Sequence, residues 1–215
     1  MTPFKEQKMT LTERARIFAT AAHAACEQKR KYTGEPYIVH PAAVVALLMQ
    51  IDPSPEMIAA AWLHDTVEDT GVTLELVTEL FGTQVARYVE MLTDVRTRQT
   101  GGERIHRKNA NLLHSAVACP EAQSIKLCDL IDNSRNVLEH DPVFARPYMV
   151  EMRRLLAVLT QGDLGLYAVA TRQCEHNILA IHRTLGDEGW YQQLWQQYEA
   201  HLPLSVVLAR AQALA

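Results

Sequence analysis

Six consecutive positions, His64-Asp65-Thr66-Val67-Glu68-Asp69, place a histidine–aspartate pair and two further carboxylates in an otherwise apolar stretch. Residues four apart on a helix share a face. A continuous helix would therefore align His64 with Glu68 and Asp65 with Asp69. One turn then offers two metal-ligand types, and the next offers two acids. Metal-assisted hydrolysis needs both: ligands that fix a cation, and carboxylates that orient a water and take its proton. A solvated helix end is the plainer account of such residues. Against it, three carboxylates near a helix C-terminus oppose the macrodipole, a cost that a bound cation offsets.

Two other places carry residues of the same kind. His40 stands in the segment Tyr37-Ile38-Val39-His40-Pro41; taken alone, it is equally a loop histidine bonded to backbone. In Lys126-Leu127-Cys128-Asp129-Leu130-Ile131-Asp132-Asn133, Asp129 and Asn133 are four apart in a segment apolar enough to be buried. A buried carboxylate needs a cation or hydrogen bonds. Pairing with Lys126 or an arginine would serve as well as a metal.

The elements that must position these residues all read as helices. Segment 11–30 has helical apolar spacing and ends in a basic cluster, which suits a helix C-terminus. A loop follows, punctuated by Gly34, Pro36 and Pro41. Segment 42–51 is apolar enough to predict burial. Ser54 with Pro55 predicts a helix start, and one helix through MIAAAWLHDTVEDT, stopped at Gly71. Thr73 is expected to cap a short helix that ends at Gly82. Further helices are expected over 83–95, 105–118, 121–138, 145–160, 163–184 and 187–200, with a last short one after Pro203. Residues 96–104 are the polar break. No alternating apolar–polar run argues for a sheet. The expectation is an all-α fold, one domain over residues 1–215, with a core at 12–160 and a helical extension at 161–215.

Composition narrows the function classes. Hydrophobic residues make up 48% and charged residues 21%, which is ordinary for a soluble globular domain. A net charge of −4 argues against a nucleic-acid backbone as the main partner. Four cysteines occur without a CxxC pair, which excludes a zinc ribbon or thioredoxin-type motif. No segment has the length and apolarity of a signal peptide or membrane span, so a reducing, cytoplasmic setting with buried thiols is expected.

Taken together and in order, GEPYIVHP (34–41), LHDTVEDT (63–70), LFG (80–82) and KLCDLIDN (126–133) resemble the hydrolase domain of RelA/SpoT homologues. The likeness is strongest to stand-alone small alarmone hydrolases, a group that includes the metazoan SpoT homologue, and covers roughly residues 12–160. It implies a helical HD fold that binds one manganese ion and removes the 3′-pyrophosphate from guanosine tetra- or pentaphosphate, or from an adenosine counterpart. By the same resemblance, His40, His64, Asp65 and Asp129 are the metal ligands, and Glu68 and Asp69 activate and orient the attacking water. Asn133 lines the nucleotide site, and Lys31, Arg107, Lys108 and Arg104 are the basic contacts to substrate. Leu130 and Asp132 depart from the family pattern, where a basic residue and a His or Tyr are usual. Asp132 adds negative charge near a site for an anionic nucleotide, which bears on substrate identity. A phosphatase acting on another phosphorylated nucleotide such as NADPH, and a silent nucleotide-binding module, are the competing readings. Of the remaining histidines, His23 is the one placed to approach the site. The helices at 163–213 are expected to pack on the domain or to make a homo-oligomer contact.

Overall fold

The computed structural model describes residues 9–214; positions 1–8 and 215, which the expected domain also includes, lie outside them. The described backbone is all-α. Its α-helices are α1 (Leu11–Ala25), α2 (Val39–Leu48), α3 (Pro55–Leu63), α4 (Thr66–Asp69), α5 (Leu74–Phe81), α6 (Thr83–Leu92) and α7 (Arg104–Ser115). They continue as α8 (Pro120–Ser134), α9 (Val137–His140), α10 (Pro142–Val158), α11 (Leu164–Leu185), α12 (Gly189–His201) and α13 (Leu204–Leu214). The chain divides into two compact units, residues 1–89 and 90–215, with α6 running across the division.

In the first unit α1 and α2 both pack on α3, and α1 also meets α4. Capping explains where these helices begin. Thr10 and Glu13 form a reciprocal capping box at α1, Ser54 accepts from Met57 N–H with Pro55 in the first turn of α3, and Thr73 accepts from Leu76 N–H at α5. The core is small where helices approach closely: Ala15, Ala19, Ala59, Ala60 and Ala61 are fully buried beside Val44, Leu48 and Leu63.

Three expectations need correction here. Helix α1 stops at Ala25, not near residue 30, because Glu27 turns to φ 50° and reverses the chain. The basic cluster thus stands in a loop. That loop is closed on itself by Arg30 N–H to Glu35 O and Tyr37 N–H to Gln28 O, and Gly34 takes the positive φ of 71° that the turn requires. Segment 42–51 is only half buried, since Val44 and Leu48 face inward while Met49 is 56% exposed. The helix expected through residue 70 is broken: α3 ends at Leu63 and α4 starts at Thr66.

In the second unit α8 packs on α11, α10 packs on α11, α12 and α7, and α7 packs on α12. A buried polar network ties this unit together. Arg104 holds Glu151 through two bonds of 2.7 Å, Tyr198 donates to the same carboxylate, and buried Arg154 pairs with Glu199. The α8–α11 packing is set by the turn at 161–163. Gln161 N–H donates to the Gln123 side chain and Asp163 N–H to Ser124 Oγ, each at 2.9 Å. A Cβ at Gly162 would lie 2.8 Å from Leu127 Cδ1 and 3.2 Å from the backbone of Gln123 and Ser124. Gly162→Ala is therefore expected to destabilise by about 1–3 kcal/mol. That is a fall of roughly 2–12 °C in Tm for a chain of this size; an unchanged melting curve would show that the contact yields freely.

The tail aromatics Trp190 and Tyr198 are buried in this unit. Cys128 and Cys174 are buried as expected, and burial pushes both thiols up to about 12. Cys26 is exposed, against the expectation of buried thiols, because it follows the end of α1.

Candidate metal centre and hydrolytic site

The break between α3 and α4 is where the first motif acquires its geometry. Thr66 Oγ1 donates to Leu63 O at 2.7 Å, which closes the end of α3. His64 and Asp65 occupy the turn, yet Asp69 N–H still bonds Asp65 O at 2.9 Å, so Asp65 and Asp69 stay one turn apart.

His64 Nδ1 lies 2.9 Å from Ala61 O. A carbonyl can only accept, so Nδ1 carries the hydrogen and Nε2 presents its lone pair. That Nε2 stands 3.0 Å from Asp65 Oδ2. His40, in the first turn of α2, brings its own Nε2 to 3.5 Å from the same oxygen. Ligand atoms of His40, His64 and Asp65 all lie within 4.8 Å of one another, with both histidines buried. Lone pairs at such distances repel unless a positive charge sits among them. Two imidazole nitrogens and a carboxylate oxygen are the mixed donor set that manganese, iron, cobalt and zinc accept. The cluster thus fits a divalent ion.

Sequence reasoning overlooked one support of this cluster. Tyr37 Oη donates to Asp65 Oδ2 at 2.7 Å, and its ring meets His40 edge-on with centroids 5.7 Å apart. Its place in GEPY, three residues before His40, was the available signal. Outer partners of this sort fix how a ligating carboxylate points. The Arg30 guanidinium lies 5.9 Å from the centre of the Tyr37 ring.

Glu68 is half-buried and Asp69 exposed on α4. Gln28 Nε2 donates to Asp69 Oδ2 at 2.8 Å. Although the residue is exposed as a whole, partial withdrawal of the Asp69 carboxyl from water holds it above the usual carboxylate range, the neighbouring Asp65 charge adds to that, and the Gln28 bond opposes it.

The second unit carries the other motif residues. Asp129, buried on α8, has Lys126 Nζ at 2.9 Å from Oδ2 and accepts from Asn133 Nδ2 at 2.6 Å on Oδ1. The basic residues have protein partners. Arg104 is held by Glu151 and lies over the Phe144 ring, Lys108 pairs with Asp94 at 2.8 Å, and Arg107 donates to Gly102 O. In the first unit, the Lys31 ammonium sits 4.7 Å from the centre of the Tyr32 ring.

The chain belongs to the HD domain family, whose sequence profile matches residues 15–160. Among relatives, the guanosine-3′,5′-bis(diphosphate) 3′-pyrophosphohydrolase of Aquifex aeolicus is 40% identical over 125 residues, which is 58% of this chain and 17% of that protein. The guanosine-3′,5′-bis(diphosphate) 3′-pyrophosphohydrolase MESH1 of Mus musculus is 38% identical over 120 residues, 54% of this chain and 65% of that one. The chain thus spans less than two thirds of the length of either relative. A solved structure described as a metazoan ortholog of SpoT that hydrolyses ppGpp and plays a role in starvation responses matches with a TM-score of 0.68 at 26% identity. That match covers 84% of this chain and 98% of the other.

Proposed function

We propose that this chain is a metal-dependent phosphohydrolase that removes the 3′-pyrophosphate from ppGpp-type alarmones of guanosine or adenosine. The observation that carries it is the convergence of His40 Nε2 and His64 Nε2 on the Asp65 carboxylate, one turn before two further acids. The names of the relatives support the choice of substrate class.

In this reading His40, His64, Asp65 and Asp129 hold one divalent ion, manganese by family expectation. When bound, such an ion supplies a Lewis acid for a phosphate oxygen and makes water easier to deprotonate. Glu68 and Asp69 hold the attacking water and accept its proton. The water oxygen ends on the released pyrophosphate, and the 3′ oxygen leaves as a hydroxyl after taking up a proton. Lys31, Arg104, Arg107 and Lys108 are the candidates for stabilising phosphate charge, and Asn133 for meeting the nucleotide. This reading expects the reaction in the cytoplasm, with no nucleic-acid or membrane partner. Among the described residues no helix is long and apolar enough to cross a membrane.

Product analysis with manganese tests this directly, offering ppGpp, ppApp and NADPH in parallel. Pyrophosphate from an alarmone is the expected result, and its source names the base. Orthophosphate from NADPH alone would replace the proposal with a phosphatase. Absence of both product and bound metal would leave a silent module.

A further inference from the structure

Beyond the acids themselves, a buried histidine outside the motifs is linked to one of them. His23, in the last turn of α1, is 1% exposed. Its Nδ1 lies 2.6 Å from Gln28 Oε1, and Gln28 Nε2 lies 2.8 Å from Asp69 Oδ2. The direction of these bonds follows from chemistry. An ionised carboxylate only accepts, so the amide nitrogen must face Asp69 and the amide oxygen must face His23. His23 Nδ1 therefore carries a hydrogen. His23 Nε2 is buried and has no hydrogen-bond partner among the described residues, so the polar hold on the ring comes through Nδ1. Burying an unsatisfied nitrogen costs stability, which an apolar residue at this position would avoid. The ring also leans on Tyr37, with centroids 4.8 Å apart, and Tyr37 is the residue that donates to Asp65.

We propose that His23 and Gln28 are positioning residues for Asp69, forming a relay in which His23 orients the Gln28 amide and Gln28 fixes the carboxylate that faces the attacking water. The proposal rests on the reading of Asp69 as an acid of the hydrolytic site. Without Gln28 the carboxylate keeps its place on α4 but loses its rotamer. Misplacement of a reacting group on the ångström scale costs up to about 10²-fold in rate. The reversal at Glu27, with its φ of 50°, is what brings Gln28 back beside the ring of His23.

The test compares Gln28→Leu, His23→Leu and His23→Asn in the full chain loaded with manganese. The side-chain amide of asparagine places a donor near the position of Nδ1, so His23→Asn restores the one bond that the relay needs. Expected are kcat losses of about 10–100-fold for both leucine variants and less than about 3-fold for His23→Asn. KM and metal content stay at wild-type values in all three. Wild-type kcat in folded, metal-loaded Gln28→Leu, or His23→Asn no better than His23→Leu, overturns the relay. If Gln28→Leu does not fold, the pair of His23 variants decides. A readout independent of turnover is the ¹⁵N–¹H spectrum of labelled histidine in the wild-type protein. It should give His23 a hydrogen on Nδ1, and an Nε2–H tautomer would sink the proposal. Should the wild type hydrolyse no alarmone while His23 shows Nδ1–H, the assigned reaction fails and the relay stands.

Discussion

Asp65→Ala is expected to lose bound metal and turnover together. Asp65 Oδ2 is the point on which both histidine nitrogens converge, and Tyr37 Oη donates to the same oxygen. Of the proposed ligand set, removing this carboxylate leaves two imidazoles and Asp129, a single negative charge against a dication. Loss of Lewis-acid catalysis alone is worth several kcal/mol of transition-state stabilisation, so kcat/KM falls by about 10³-fold or more. A second readout needs no substrate. Metal at about 100 times its Kd stabilises a folded protein by roughly 2.7 kcal/mol, or about 5–10 °C of Tm for a chain of this length. The wild-type protein should show that shift with manganese, and Asp65→Ala should not. A variant that keeps both its ion and its rate would remove Asp65 from the ligand set.

Glu68→Gln and Asp69→Asn separate the other half of the site. Both residues lie on α4, past the turn that carries the proposed ligands, and neither belongs to the His40–His64–Asp65 cluster. Each substitution keeps shape and removes the ability to accept a proton. Turnover is expected to fall by about 10²–10⁴-fold, the usual worth of a positioned general base. Metal content and the manganese-induced Tm shift should remain. The same result in both variants would mean that the two acids act as one unit, and a paired substitution would then cost little more than either alone. Loss of metal in Asp69→Asn would instead count that residue among the ligands.

The sequence made the helices legible because their signals are local. Ser54-Pro55, Thr73 and Gly82 are read within three residues of where they act, and the structure starts and stops helices there. The histidine–aspartate motif is legible for the same reason: its proposed ligands and acids are neighbours in the chain. What stayed hidden depends on chain reversals. Nothing in Ala25-Cys26-Glu27 announces that Glu27 turns to positive φ, since glutamate has no preference for that region. Without that turn, Gln28 reads as one more polar residue in a basic run. The break at His64-Asp65 was equally silent, because the apolar spacing continues across it. The partners of Arg104 and Lys108 were beyond reach, since Glu151 lies 47 residues away and Asp94 14 residues away along the chain.

The Nδ1 bond of His64 has a consequence for how the centre fills. With its hydrogen committed to Ala61, His64 offers one nitrogen only, and that nitrogen, His40 and Asp65 crowd a single small volume. Whatever enters must be positive, and in the absence of a metal the available positive species is a proton. On the proposed ligation, ion and proton are thus rivals for one berth. Acid then works against the ion much as a chelator does, by taking up one partner of the bond.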